Sequence, residues 1–517
     1  MGWEISAMVG PHDEGYFAPD IEMVYETKWK VSHNASRSGI RLTGPVPKWA
    51  RKDGGEGGAH PSNLVEYGYP IGTLNWTGND PCIFPIDCPN FGGFTSSTTV
   101  VKADWWKIGQ LKAGNTLKFI RISLEDALKK KKRNDDFLDL IEEALKSKSE
   151  FDKIDNLQAG HVDFHQGQIG KAVIWEKAAT ANTPQVRYRQ GGDDHLLVEY
   201  GNESFDLNHW CRVTALENAL KSSNTPMNIS RNLLNTVGCC TTLLIYYNGA
   251  KLPRSQLVLH LQKLEEKFGD LQSTKVPTRV FKLPISFESK LQDEAPQRYM
   301  TNQRPHAPYL PDNLSFVAKN NALTAQQFKD IYLIGQFMAV VVGFFYGNTV
   351  SLPVDPRQRM SAPKMNLSRV FTPEVSEEEL DSLLGQFRAG KFTFEYEDVE
   401  FDMADHNRLL QDTVEEVKKI RAHQARLDNQ IDGSTVERLL DDPDITPIEA
   451  PADANVWKVE VKEGDTILIL EAMKLEIAVK TPDTAVAGGA KLKVQKLLVK
   501  PGDTVTAGGH LALLKKE

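Results

Sequence analysis

Cysteine is scarce in this chain: five residues (Cys82, Cys88, Cys211, Cys239 and Cys240) among 517. That is too few for a disulfide framework and points to a reducing, cytoplasmic setting. Nor does their spacing suggest zinc: Cys82 and Cys88 are six apart, and Cys239 and Cys240 adjoin inside an apolar, strand-like run. All five read as small buried hydrophobes. Long apolar runs are missing as well. None reaches the ~18–20 residues that span a bilayer, and the longest candidate, residues 331–347, reads as a buried helix running into a strand. The opening "MGWEISAMVGPHDEG" lacks a basic segment followed by an apolar one, so it is no secretory leader. A basic excess is also lacking, with 61 Lys and Arg against 69 Asp and Glu and a net charge of −8, which excludes a nucleic-acid partner. No HExxH pair or glycine-rich phosphate loop occurs, so neither a catalytic metal nor an ATP site is expected, and a Ser-rich amidase signature is missing.

What is present divides by pattern. The length calls for three or four domains. Residues 1–122 carry short β-prone runs with turn signals every ten or so residues, the pattern of a barrel or sandwich. Residues 123–185 open with the charged helix "LEDALKKKKRNDDFLDLIEEALKSK" and read as a solvated connector; His161 and His165 in it lack a third ligand and are incidental. From 186 to 407 strands alternate with amphipathic helices at 208–223 and 254–269, and a further helix starts at "TAQQFKDIYLI". A polar helix begins at 408, and the Asp- and Pro-rich stretch 441–454 marks the last boundary.

The tail, 446–517, contains a pseudo-repeat. "VWKVEVKEGD" parallels "VQKLLVKPGD", and "TILIL" parallels "HLALL"; the first half is six residues shorter, lacking a counterpart of "TVTAGG". Between the halves, "EAMKLEIAV" predicts a hairpin with Met473 and Lys474 at its tip. A single exposed lysine usually serves solubility. Here the tetrad, the apolar flanking strands and the symmetry agree on a prosthetic-group attachment point.

The "EAMK" stretch resembles the biotin carboxyl carrier domains of biotin-dependent carboxylases, which implies biotin on Lys474. "SHNASRSGIRLTGP", "GGEGGAHPSNLVEYGYPIGTLNWTGNDPCIFP", "YRQGGDDHLLVEYG" and "GFFYGNTVSLPVDPRQRM" resemble the carboxyltransferase region of urea carboxylase, as found in fungal urea amidolyase, with KipA-like and KipI-like modules. The resemblance implies an α+β, β-rich fold: cyclophilin-like β-barrel modules with peripheral helices, and a C-terminal biotinyl/lipoyl barrel. It implies the C-terminal part of the KipA-like module at 1–122, a KipI-like module at 186–407 truncated near 373–376, a helical linker at 408–445 and the carrier at 446–517. On this reading the chain starts partway into the first module. The implied reaction moves a carboxyl group from carboxybiotin to urea, giving allophanate. The implied partners are urea, a biotin protein ligase and a biotin carboxylase domain outside this sequence. KipI/KipA-like modules also serve in 5-oxoprolinase assemblies, which need no fused biotin domain; a non-catalytic, biotin-bearing protein is the other alternative.

Urea is small, neutral and planar, so its pocket needs acceptors on the N–H side and donors on the oxygen side. The glycine-rich approach "GGEGG" leads to His60, Ser62 and Asn63; "TGND" adds Asn79 and Asp80, and "SHNASRSG" adds Asn34 and Arg37. In the second module "VDPRQRMSAPKMN" supplies Asp355, Arg357 and Lys364, of which Arg357 or Lys364 would hold a carboxylate or the biotin carbonyl. Taken singly, each of these is also a plausible turn cap or surface ion pair.

Overall fold

The computed structural model describes the chain except residues 1, 13–14, 18, 57–58, 148–167, 203, 283–284, 286, 288–289, 303–308, 345–348, 361–381, 383–384, 387–388, 392, 394, 429–441, 443, 452–453, 460–465, 473–474, 481–491, 500–503 and 517. It divides into two compact units, Met1–Gln272 with Ala339–Ser351, and Ser273–Met338 with Leu352–Glu517. The span read as one KipI-like module is therefore shared between them.

The first unit opens with β1 (Gly2–Val9), β2 (Trp29–Val31), β3 (Ile40–Thr43), β4 (Asn63–Gly68), β5 (Thr73–Thr77), β6 (Asp80–Ile83), β7 (Phe91–Phe94), β8 (Ser96–Val100) and β9 (Thr116–Arg121). Seven close a barrel in the order β1-β8-β5-β6-β3-β2-β9, and β4 and β7 form a separate ribbon. First and last strands seal it in parallel, from Gly2↔Thr116 to Ala7↔Arg121. Ile5, Trp29, Leu74, Trp76, Ile83 and Phe119 fill the interior. Burying such side chains stabilises by roughly 1.5–3 kcal/mol each. β8 reads "SSTTV" and is nonetheless wholly buried. Its hydroxyls are matched: Ser97 accepts the Trp76 indole N–H at 3.0 Å, and Thr99 donates to the Gly10 carbonyl at 3.0 Å.

The charged helix Leu124–Ser147 follows. Its first turns are not solvated as the connector reading supposed. Lys130 reaches the buried Asp104 (2.9 Å) and Ser6 (2.7 Å), and Asn134 donates to the Ala103 carbonyl at 2.8 Å. A buried carboxylate needs cations, and this helix supplies one.

Five antiparallel strands come next, β10 (Val173–Lys177), β11 (Val186–Gln190), β12 (His195–Tyr200), β13 (Leu233–Gly238) and β14 (Thr242–Tyr247), ordered β10-β11-β12-β14-β13. β10 lies inside the span assigned to the connector. Helices Leu207–Lys221 and Arg254–Phe268 cover one face; Asp206 caps the former by accepting the Asn208 N–H at 2.8 Å. Strand alternation sorts β12 and β14: Leu196, Val198, Leu243 and Ile245 pack among the helices, whereas Leu197 and Leu244 belong to the barrel core. The sheet is thus buried on both faces, and that is why its central strands read as continuous apolar runs. Cys239 and Cys240 lie between β13 and β14, not within a strand, and both are fully buried.

In the second unit β15 (Lys275–Lys282) pairs along its whole length with β18 (Glu395–Asp402), with Arg279 on Asp398 at 2.8 Å. β16 (Phe337–Val342) and β17 (Thr349–Pro353) form a two-stranded ribbon. The helix before it, Ala325–Ile334, has the capping box Thr324/Gln327. It ends before a strand as the sequence implied, but it is not buried: Leu333 and Ile334 are exposed. The polar helix runs Met403–Asp428.

The tail forms β19 (Ile445–Glu449), β20 (Ala454–Val459), β21 (Thr466–Ala472), β22 (Leu475–Lys480), β23 (Leu492–Leu497), β24 (Thr504–Val505) and β25 (His510–Lys516). Two sheets, β19-β25-β23 and β22-β21-β20-β24, enclose Val456, Ile467, Leu468, Leu470, Leu511 and Leu514. The pseudo-repeat is structural, because β20 pairs with β21 as β23 pairs with β25.

Candidate functional site

Four sequence candidates of the first unit, His60, Ser62, Asn63 and Asn79, converge. The segment around Tyr16 runs beside Trp49: Phe17 and Trp49 form a β-bridge, and Ala50 N–H donates to the Tyr16 carbonyl at 3.0 Å. Trp49 sets its ring edge-on to His60, centroids 5.2 Å apart at 87°, and donates its indole N–H to Asn79 Oδ1 at 3.1 Å. That Oδ1 also lies 3.1 Å from His60 Nε2. A carbonyl oxygen has no proton to give, so Nε2 carries the hydrogen and Nδ1 the lone pair. Nδ1 accepts the Ser62 N–H at 3.2 Å and lies 3.0 Å from Ser62 Oγ. Ser62 Oγ in turn accepts the Gly78 N–H at 3.1 Å, which leaves its own proton for the imidazole. Asn63 closes the loop, donating Nδ2 to the His60 carbonyl at 3.0 Å.

Two glycines make this geometry possible. Gly78 has φ +77°, the left-handed conformation a tight β5–β6 turn requires. At Gly55 a Cβ would lie 2.4 Å from the His60 carbonyl oxygen and 2.6 Å from that of Asn63. Burial pushes the His60 imidazole down to about 4, against the opposing pull of Asn79. The ring is therefore neutral at physiological pH, a rigid dipole rather than a charge.

The remaining candidates stand apart from this cluster. Asp80 projects into solvent with its side chain 77% exposed, 4.0 Å from Arg41. Arg37 makes an exposed pair with Asp87. Arg357 is in the second unit, its guanidinium on Asp355 at 2.7 Å. Lys364, Met473 and Lys474 lie outside the described residues, as do His161 and His165.

Sequence reasoning missed Trp49, Arg51 and Tyr16 beside the loop. The local signal was "WARKDGGEGG", which places Trp49 and Arg51 directly before the glycine run. It also missed the polar joint between the barrel and the five-stranded sheet. There Lys102 forms an ion pair with Asp194, its backbone N–H donates to Asp193 at 2.9 Å, and His195 stacks on Tyr246 at 4.5 Å. Burial and the neighbouring Asp194 push Asp193 up to about 6, and burial holds His195 down to about 3. Nearby, burial pushes Glu66 up to about 7, and it accepts the Cys240 N–H.

In the tail, β21 and β22 pair antiparallel up to Ala472↔Leu475. Met473 and Lys474 stand between these partners in the sequence and lie outside the described residues. Residues 457–514 match the family described as biotin-requiring enzymes. Residues 1–121 match carboxyltransferase subdomains A and B, and residues 186–376 match subdomains C and D. A putative urea carboxylase of Emericella nidulans is 44% identical over 99% of this chain and 48% of its own length. The chain thus carries carboxyltransferase subdomains A to D and a biotin-requiring domain, and it is similar over nearly its whole length to urea carboxylases.

The urea amidolyase of Lachancea kluyveri is 29% identical across 99% of the chain and 31% of its own length. The crystal structure of Kluyveromyces lactis urea carboxylase superposes with a TM-score of 0.67 at 28% identity, over 99% of this chain and 50% of that one. The chain spans about half the length of the Emericella relative. The Emericella alignment runs to 604 positions against 517 residues here, so at least 87 positions of that relative have no counterpart in this chain (604 − 517 = 87). Among the described residues no helix is long and apolar enough to cross a membrane, and no group of three His, Cys, Asp or Glu side chains is arranged to hold a metal.

Proposed function

We propose that this chain is the carboxyl-transfer half of a urea carboxylase, with urea as acceptor, allophanate as product and biotin on Lys474. Biotin bound there would supply the carboxyl group in an activated form. The observation that carries the reading is that a carrier hairpin containing "EAMK" shares one chain with a carboxyltransferase barrel bearing the neutral His60 loop. Urea is an uncharged, weakly acidic diamide, so its site gains from fixed dipoles that orient one nitrogen and meet charge developing on oxygen. His60, Ser62 and Asn63 form the rigid wall of that site; Asp80, whose exposed carboxylate stands apart from them, is a separate candidate acceptor of urea N–H. Arg357 and Lys364 are separate candidates for holding a carboxylate or the biotin carbonyl. A biotin protein ligase loads Lys474, a biotin carboxylase outside this sequence charges it, and the setting is cytoplasmic.

The test combines the purified chain with a biotin carboxylase domain, ATP, bicarbonate and [14C]urea. Labelled allophanate that disappears in Lys474→Ala supports the reading. A second reading, a biotin-bearing protein without transfer, is favoured by one observation: both His60 nitrogens are already engaged within the protein. Biotinylated protein that forms no allophanate would decide for it.

A further inference from the structure

Between the His60 loop and the five-stranded sheet stands a single aromatic ring with a guanidinium on each of two arms. Arg51 Nη1 donates to the Asn63 carbonyl at 2.8 Å and the Pro61 carbonyl at 3.4 Å, the two carbonyls flanking Ser62. Its Cζ lies 5.5 Å from the centroid of the Tyr16 ring. Arg189 Cζ lies 5.5 Å from the same centroid. Arg189 belongs to β11 and is locked there, its Nε and Nη2 on Glu199 at 2.8 and 3.3 Å, with both side chains buried. It also donates Nη1 to the Pro11 carbonyl at 3.4 Å.

We propose that Arg51 is a positioning residue for the His60–Ser62–Asn63 loop, and that Tyr16 transmits to it the seating of the five-stranded sheet through Arg189. Trp49 and Arg51 stand two apart in one short stretch of chain, and each donates a hydrogen bond at the loop, to Asn79 and to the Asn63 carbonyl. One steadies the loop through His60 and Asn79, the other through the backbone around Ser62. The loop is therefore held at its imidazole end and at its carbonyl end by one short stretch of chain. That stretch is itself tied to Tyr16 through the Ala50 N–H. Two like charges on one ring are tolerated because its π face attracts each cation and Glu199 neutralises one of them. Displacing the sheet would carry Arg189 away from Tyr16 and loosen the cation that grips the loop. His12, edge-on to Tyr16 at 4.8 Å and accepting the Ser96 N–H at 2.9 Å, backs the ring from the barrel side. No substrate contact is assigned to Arg51, Tyr16 or Arg189.

The kinetic arm of the test rests on the proposed function; the spectroscopic arm does not. In full-length protein with 15N-labelled histidine, His60 is assigned by difference with His60→Gln, and its ring is titrated in wild type, Arg51→Lys, Tyr16→Phe, Tyr16→Leu and Arg189→Lys. The expected result is a His60 midpoint that rises by at least one pH unit toward the ordinary ~6.5 in Arg51→Lys and Tyr16→Leu, moves the same way by less in Arg189→Lys, and stays put in Tyr16→Phe. His195, at the separate joint, should not move in any of them. An unmoved His60 in Arg51→Lys overturns the proposal, as does a His195 that shifts alongside it. In the transfer assay Arg51→Lys should raise KM for urea about tenfold with kcat within about twofold, the weight of one charge-assisted hydrogen bond. If wild type makes no allophanate, the functional reading fails while the titration still decides the role of Arg51.

Discussion

Placing a methyl group at Gly55 is the most direct test of how tightly the His60 loop is built. An alanine Cβ would sit 2.4 Å from the His60 carbonyl oxygen and 2.6 Å from the Asn63 carbonyl oxygen. Carbon and oxygen settle at roughly 3.3 Å or more, so one side must retreat by about 0.9 Å. The loop has little room to give, because Gly55 N–H is bound to the Ala59 carbonyl at 2.7 Å and Asn63 N–H to the His60 carbonyl at 2.8 Å. A retreat of that size would stretch the 3.0 Å contact of His60 with Ser62 to roughly 3.9 Å, beyond hydrogen bonding. Overpacking costs about 1–3 kcal/mol and the lost hydrogen bond about 1 kcal/mol, giving about 2–4 kcal/mol in all. Gly114 is the control. It has φ +85° with nothing within 4 Å of an added methyl, so its alanine variant incurs only backbone strain, about 1–2 kcal/mol. Eight of the nine tryptophans lie within residues 1–272, so guanidinium unfolding followed by tryptophan fluorescence reports the first unit. If Gly55→Ala unfolds at or above the midpoint of Gly114→Ala, the loop is looser than its distances imply and the reasoning fails.

Three further outcomes are expected. Because folding lowers the His60 pKa from about 6.5 to about 4, the unfolded chain binds the extra proton. Stability should therefore fall as pH drops from about 6.5 to about 4, by roughly 2 kcal/mol at pH 5, and His60→Gln should flatten this part of a pH-dependent denaturation series. Arg212 and Glu265 form a buried pair at 2.9 Å that also engages Tyr200. Glu265→Gln should cost about 3–5 kcal/mol, whereas Arg212→Met with Glu265→Leu should cost far less, as read by calorimetry of the full chain. In the carrier, β24 pairs with β20, and the repeat equates β20 with β23; inserting "TVTAGG" between Asp465 and Thr466 should supply the matching edge for β23. The carrier transition should then rise by about 4 °C or more, and an unchanged transition would refute the symmetry argument.

The sequence was informative wherever a signal was local and periodic. The pseudo-repeat and "EAMK" foretold the β21–β22 pairing because strand alternation and a two-residue turn are written within twenty residues. The helices at 207–221, 254–268 and 325–334 were legible from apolar spacing and caps for the same reason. The glycine approach drew attention to His60, Ser62 and Asn63, since close backbone packing leaves glycine as its mark.

Long-range partnership was not legible. Nothing near Tyr16 announces that it separates Arg51 from Arg189, 138 residues further along. Nothing in "SSTTV" says that a hydroxyl-rich strand lies in a core, because the groups that satisfy it come from Trp76, Tyr25 and Gly10. Residue identity set which groups could donate, accept or bury. Which of them meet, and that the His60 ring stays uncharged among them, followed only once barrel closure brought distant segments within three ångströms and shut water out.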